Sequence, residues 1–189
     1  YFVKKGKQKS KTTPAPSGNT ISNGRINITL NTENGDITAI NFKNGPNLVD
    51  PTDTLGFNAY WYGGVVKENL SKQTGATLKV VEHGNVLTRI QVVSSAPGAV
   101  SLTREIQLVN GLDEIYLTNI VDKKNIVENE NVRFSFPFNV PNSQVRIDIP
   151  WATTKIDQDQ LAGANKNFYS VQRWVDVSNE NSGVTLAPI

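Results

Sequence analysis

The chain has 189 residues, 38% of them hydrophobic and 19% charged, which is enough for one sizeable domain with a core of its own. It holds no cysteine, which excludes disulfides, cysteine–zinc sites and thiol nucleophiles, and no apolar run approaches the roughly 18 residues of a membrane helix. The net charge of +2 hides an asymmetry: Lys4, Lys5, Lys7, Lys9 and Lys11 stand in the first 20 residues without an acid, and the rest carries 14 basic against 17 acidic residues.

Residues 1–20 read as a basic flexible tail or linker. Pro14, Pro16, Ser17 and Gly18 supply linker chemistry. No aromatic interleaves the lysines to stack on bases, so nucleic acid is not an expected partner. No apolar segment follows the basic start as a secretory signal requires, and no membrane association is expected.

From Gly18 onward the hydrophobic period is two. Ile26, Ile28 and Leu30 alternate with polar neighbours, as in a half-buried strand. Asn34-Gly35 predicts a tight hairpin with positive φ at both turn positions, and "ITAINF" is its return strand. "LGFNAYWYGG", 55–64, sets Phe57, Tyr60, Trp61 and Tyr62 between glycines; in a strand Tyr60 and Tyr62 share a face and Trp61 takes the other. "ATLKVVEH", a turn at Gly84-Asn85, and "VLTRIQVVSS" repeat the hairpin grammar. "AVSLTREIQLVN" and "EIYLTNIVD" follow, with Val100, Leu102, Ile106 and Leu108 predicted on one face. "NVRFSFPFNV" places Val132, Phe134, Phe136, Phe138 and Val140 on one face of a long strand, and "QVRIDIPW" does the same with Val145, Ile147 and Ile149. "DQDQLAGANKN", 157–167, is polar and reads as a loop. "NFYSVQRWVDVSN", 167–179, reads as a strand with Phe168, Ser170, Gln172, Trp174 and Asp176 on one face and the valines on the other. No segment shows a helical period. Strands at about ten-residue spacing, joined by turn signals, predict an all-β, large antiparallel β-sandwich.

Catalytic chemistry is sparse. His83, the only histidine, sits beside Gly84 at a predicted turn and brings no metal-ligand cluster with it. No Ser-His-Asp arrangement or phosphate loop is legible. Most aspartates flank turns, where their side chains bond the backbone. Aromatics beside polar groups are what remains: Asn58, Tyr60 and Tyr62 are candidate carbohydrate contacts, and Trp174 with Asp176 faces a groove or a neighbouring domain, with core packing and direct sugar contact as alternatives.

The run from "NVRFSFPFNV" through "VRIDIPWATTKIDQDQLAGANKNFYSVQRWVDVSNENSGVTLA" resembles the C-terminal β-domain of glycoside hydrolase family 38 α-mannosidases. "ISNGRINITLNTENGDITAINFKNGPNLVD" resembles that domain's opening, so the likeness covers residues 21–187. It implies a super-sandwich like that of galactose mutarotases, filling residues 21–189 and possibly truncated, since the family's domain continues past "GVTLA". It implies no cofactor in this chain, with zinc and the nucleophile in an N-terminal α/β catalytic domain of the same polypeptide, mannosides as substrate of the intact enzyme, and an inactive isolated chain. A tyrosine lent to the sugar site carries over to Tyr60, whose hydroxyl is expected to point out of the sheet. Glycan degradation favours a periplasmic or extracellular setting. The alternative is a free-standing carbohydrate-binding module without a hydrolase partner.

Overall fold

In the computed structural model, which describes residues 14–63 and 70–189, strands alternate with turns and no described segment is helical. Contacts along the chain separate two compact units, Tyr1–Pro137 and Phe138–Ile189. The expected tail falls largely outside the described residues, and within its described part Ser17 already bridges Thr20, which opens the first strand.

The first unit holds three antiparallel sheets. One joins β1 (Thr20–Ser22), β2 (Ile26–Leu30) and β3 (Ile37–Phe42) in sequence order. The predicted alternation holds in β2: Ile26, Ile28 and Leu30 are buried and the residues between them half-buried. The Asn34-Gly35 turn differs from expectation. Only Gly35 has positive φ, at 72°. The connection is a wider loop in which the Asn31 side-chain oxygen accepts the Glu33 and Asn34 amides and Gly35 donates to the Asn31 carbonyl. Gly35 is required there, because a Cβ would stand 2.3 Å from Val92 Cγ1.

A second sheet pairs β4 (Ala59–Gly63) with the short β5 (Ser71–Lys72) and with β10 (Asn131–Ser135). The third is a meander of β6 (Thr74–His83), β7 (Leu87–Ser95), β8 (Ala99–Val109) and β9 (Ile115–Lys123). Its inner face is the core: Ile90 and Val92 from β7, and Leu102, Ile106 and Leu108 from β8, are almost fully buried. Each such side chain contributes about 1.5–3 kcal/mol. Val100 departs from this face. A register shift between Ala99 and Ser101 turns it outward, to 67% exposure. The long strand expected over 131–140 stops at Ser135, two residues before Pro137, whose ring cannot donate to a ladder.

The second unit is one sheet of order β12-β11-β13-β14, built from β11 (Gln144–Ile149), β12 (Ala152–Lys155), β13 (Val175–Ser178) and β14 (Gly183–Leu186). The register Gln144↔Ser178, Arg146↔Asp176↔Thr185 gathers polar side chains on one face; Val145, Ile147, Val175, Val177, Val184 and Leu186 occupy the other. Ile147 is buried there and the valines are half-buried. The β11–β12 hairpin closes through Pro150 and Trp151, since Ile149 pairs with Ala152. Trp151 has φ of 65°. Proline followed by positive φ is the signature of a type II turn, whose second position calls for glycine or asparagine. An L-residue held there costs about 1–2 kcal/mol. The predicted strand over 167–179 shrinks to Val175–Ser178, because Asp148 takes over the pairing upstream of it.

Candidate functional site

Strand β4 holds two of the three predicted carbohydrate contacts, Tyr60 and Tyr62, with Asn58 just before it, and its alternation is as expected, with Tyr60 and Tyr62 on one face and Trp61 on the other. Which face turns inward is the correction. Tyr60 is 0% exposed. It packs with Ala96, Ala99 and Leu102, meets the Phe134 ring edge-on at 5.7 Å, and its hydroxyl donates to the Pro97 carbonyl at 2.7 Å. Burial raises its pKa, with the Glu130 charge adding to the effect. The expected outward hydroxyl is thus a core hydroxyl bonded to main chain. Asn58 is also buried: its side-chain oxygen accepts from Asn119 at 2.8 Å, its amide donates to Ser135, and it holds positive φ of 55°.

Tyr62 alone of the three reaches the surface in part. Its ring lies against Gly98, where a Cβ would come within 2.2 Å of it. Its hydroxyl donates to Glu130 Oε2 at 2.7 Å, and Lys123 pairs with the other carboxylate oxygen. The hydrogen bond to Glu130, reinforced by burial, pushes the Tyr62 pKa up to about 12. The Lys123 and Tyr62 bonds hold Glu130 low. This trio is a half-buried polar cluster whose carboxylate is taken up by its lysine and tyrosine partners.

Beneath β4 lies a group the sequence reading missed. Arg104, on β8, is 0% exposed. Its Nη1 donates to Asp36 Oδ1 at 3.1 Å and to the Asn58 carbonyl at 2.9 Å; its Nη2 donates to the Asn34 carbonyl and to Ser94 Oγ. Asp36, itself buried, also meets Lys72 Nζ at 2.6 Å and Gln73 Nε2 at 2.6 Å. Burial lowers the Arg104 pKa and the Asp36 charge opposes that. The signal was present: alternation along Leu102, Arg104, Ile106 puts the arginine on the core face. The cluster is closed to ligands and ties the Asn31–Asp36 loop, β4 and the meander together.

In the second unit Trp174 and Asp176 do come together. With Thr185 they line a shallow depression of about 260 Å³. Asp176 accepts from Thr185 Oγ1 at 3.2 Å on one oxygen, and from Arg146 Nη1 at 3.4 Å and Ser178 on the other. Asp148 sets the edge of this region. Its buried carboxylate accepts the Arg173 amide at 2.6 Å, the Trp174 amide at 3.3 Å and Arg173 Nε at 3.2 Å. Burial drives its pKa up, but the two amides and the guanidinium outweigh that and hold it low. The Gln172 amide donates to the Asp148 carbonyl at 3.2 Å, so the chain over 172–174 is pinned without being a strand. Phe168, expected beside Trp174, is 70% exposed.

His83 ends β6, with its Nδ1 3.0 Å from Thr88 Oγ1. Among the described residues no three of histidine, aspartate and glutamate gather to hold a metal ion, so a zinc site does not fit the side chains described. Among the described residues, each carboxyl group whose pKa departs clearly from its ordinary value (Asp50, Asp113, Glu130, Asp148) is held low, the opposite of what a general acid at neutral pH needs. No curated protein matches the chain. The family model described as Glycosyl hydrolases family 38 C-terminal domain matches residues 21–188.

Proposed function

Because the chain belongs to the glycosyl hydrolases family 38 C-terminal domain family, we propose that it is the supporting β-domain of a retaining α-mannosidase, shaping the carbohydrate site while a catalytic domain of the same polypeptide performs the chemistry. The family match over residues 21–188 carries this reading. The chemistry of the side chains agrees with it. A retaining glycosidase needs two carboxyl groups about 5–5.5 Å apart, one of them with a raised pKa. Here Asp36 and Asp148 are tied to arginines, Asp176 to Arg146 and Glu130 to Lys123. Zinc, where the enzyme uses it, is held by residues of the catalytic domain.

Tyr60 and Asn58 have no place in the carbohydrate contact, because both are buried. We assign that contribution to the half-buried Trp174 and to Asp176, at the contact with the catalytic domain or its bound mannoside; within the first unit Tyr62 remains the candidate. Trp174 offers an apolar face, and Asp176 Oδ1 keeps acceptor capacity beyond its bond from Thr185. Assay of aryl α-mannoside hydrolysis, with and without added zinc, tests the proposal. The polypeptide carrying both domains should turn over substrate and this chain alone should not. Zinc-dependent turnover by the pure chain would overturn it.

A further inference from the structure

The hairpin tip between β11 and β12 breaks two local rules at once. Trp151 occupies the positive-φ position of its turn, at 65°, and its side chain is fully in solvent, at 104% relative exposure. A bulky residue at such a position is an outlier, and strain of this kind persists where a site uses it. Core packing does not account for the tryptophan, because none of the described residues covers the ring. The turn does not account for it either, because glycine or asparagine would serve better.

The surroundings specify a ligand. Asp148 pairs with Thr153 on the same hairpin and holds the Arg173 amide and Nε on its other side. Arg173 is therefore presented at the same end of the sheet, its side chain 77% exposed and fixed at Nε by a buried carboxylate. Its two Nη groups make no bond to the protein among the described residues. Gln172, also exposed, is pinned to the Asp148 carbonyl. Asp148, three residues before Trp151 on the same hairpin, thus brings an oriented guanidinium, Gln172 and Thr153 to the end of the sheet that carries the indole, a set that suits a ligand with one apolar face and a rim of hydroxyls. A lipid surface would be met by several large apolar side chains, whereas the neighbours of Trp151 along the hairpin, Pro150, Ala152 and Thr153, are small.

We propose that Trp151 is the platform of an accessory glycan-binding site, in which a pyranose ring of a neutral oligosaccharide lies on the indole and Arg173 and Gln172 donate to its hydroxyls. The site adjoins the Trp174–Asp176 depression across Asp148, which holds both the Arg173 and Trp174 amides, and makes no claim on hydrolysis. It rests on the glycosidase reading only for its choice of ligand class.

The test is calorimetric and NMR titration of this chain with mannopentaose, xylopentaose and chitopentaose. At least one should bind, with the Trp151 indole N–H resonance shifting. Trp151→Gly should weaken that binding at least tenfold while the melting temperature stays the same or rises, since the turn favours glycine. Arg173→Gln should weaken it less. The inference is overturned if none of the three sugars binds, if Trp151→Gly binds as well as the unmodified chain, or if that variant melts well below it, which would make the tryptophan structural. Sedimentation with anionic phosphatidylserine vesicles that is lost in Trp151→Gly, without sugar binding, would make the tip a membrane contact and equally overturn it. Binding of xylopentaose or chitopentaose but not mannopentaose would uphold the platform and count against the mannosidase reading. Hydrolysis by the two-domain polypeptide, with no sugar retained by this chain, would do the reverse.

Discussion

Arg104→Met should be the most damaging single change of a polar side chain in the first unit. Methionine matches the volume of the arginine stem but removes the charge and four donated hydrogen bonds. Asp36 would keep Lys72 and Gln73, while the Asn58 carbonyl and Ser94 would lose their guanidinium donor. Removing one partner of a buried ion pair typically costs about 3–5 kcal/mol. Four charge-assisted bonds at about 1.5–3 kcal/mol each would sum to more than that, but the newly buried thioether offsets part of the loss. At roughly 2–4 °C per kcal/mol for a chain of this length, the melting temperature should fall by roughly 6–20 °C. Lys72→Met is the internal control. Lys72 is partly exposed, and Asp36 would retain Arg104, so its loss should cost roughly 1 kcal/mol or less. Urea denaturation of the three proteins at neutral pH reads both values. An Arg104→Met midpoint within experimental error of Lys72→Met would refute the assignment of Arg104 as the keystone of this cluster.

Tyr60→Phe should lower stability by about 0.5–1.5 kcal/mol, because it strands the Pro97 carbonyl, while leaving mannoside turnover by the two-domain polypeptide unchanged; a kinetic defect without a thermal one would restore Tyr60 to the sugar site. Asp148 has a folded pKa below its unfolded value, so its contribution is fully present above about pH 4 and is lost as pH falls through the depressed value. The melting-temperature gap between the unmodified chain and Asp148→Asn should therefore be widest near neutral pH and close in acid; a gap that does not change with pH would contradict the bonding described for Arg173 and Trp174.

The fold was legible wherever alternation ran unbroken. In β2 the apolar residues repeat every second position, and in β7 and β8 the Ile90–Val92 and Ile106–Leu108 pairs keep that step, so one buried face follows from sheet geometry. The misreadings fall where one residue changes the register or ends the ladder. A bulge at Ala99–Ser101 turned Val100 to solvent, and β10 ends just short of Pro137. Over 172–174 the backbone amides donate to the Asp148 carboxylate and carbonyl, a long-range partner that no local pattern announces.

The candidate site divides along the same physical line. Alternation correctly paired Tyr60 with Tyr62, but two faces of a strand are symmetric until something says which one meets the core. Here that is Ala96, Ala99 and Leu102, about forty residues away, together with a carbonyl placed to take the Tyr60 hydroxyl. Arg104 was readable in principle, since it sits in step with Leu102 and Ile106, yet a charge on an apolar face looks like an error until its counter-charge at Asp36 is seen. Trp151 is the reverse case. "IPWA" violates turn chemistry on its own terms, with a bulky aromatic after proline where positive φ is needed, and no distant partner among the described residues relieves the violation. Local rules that fail and are compensated mark architecture, as at Arg104. Those that fail with nothing in the fold to compensate them mark a surface shaped for something outside the chain, and by that criterion the β11–β12 tip is a stronger functional candidate than the aromatic strand β4.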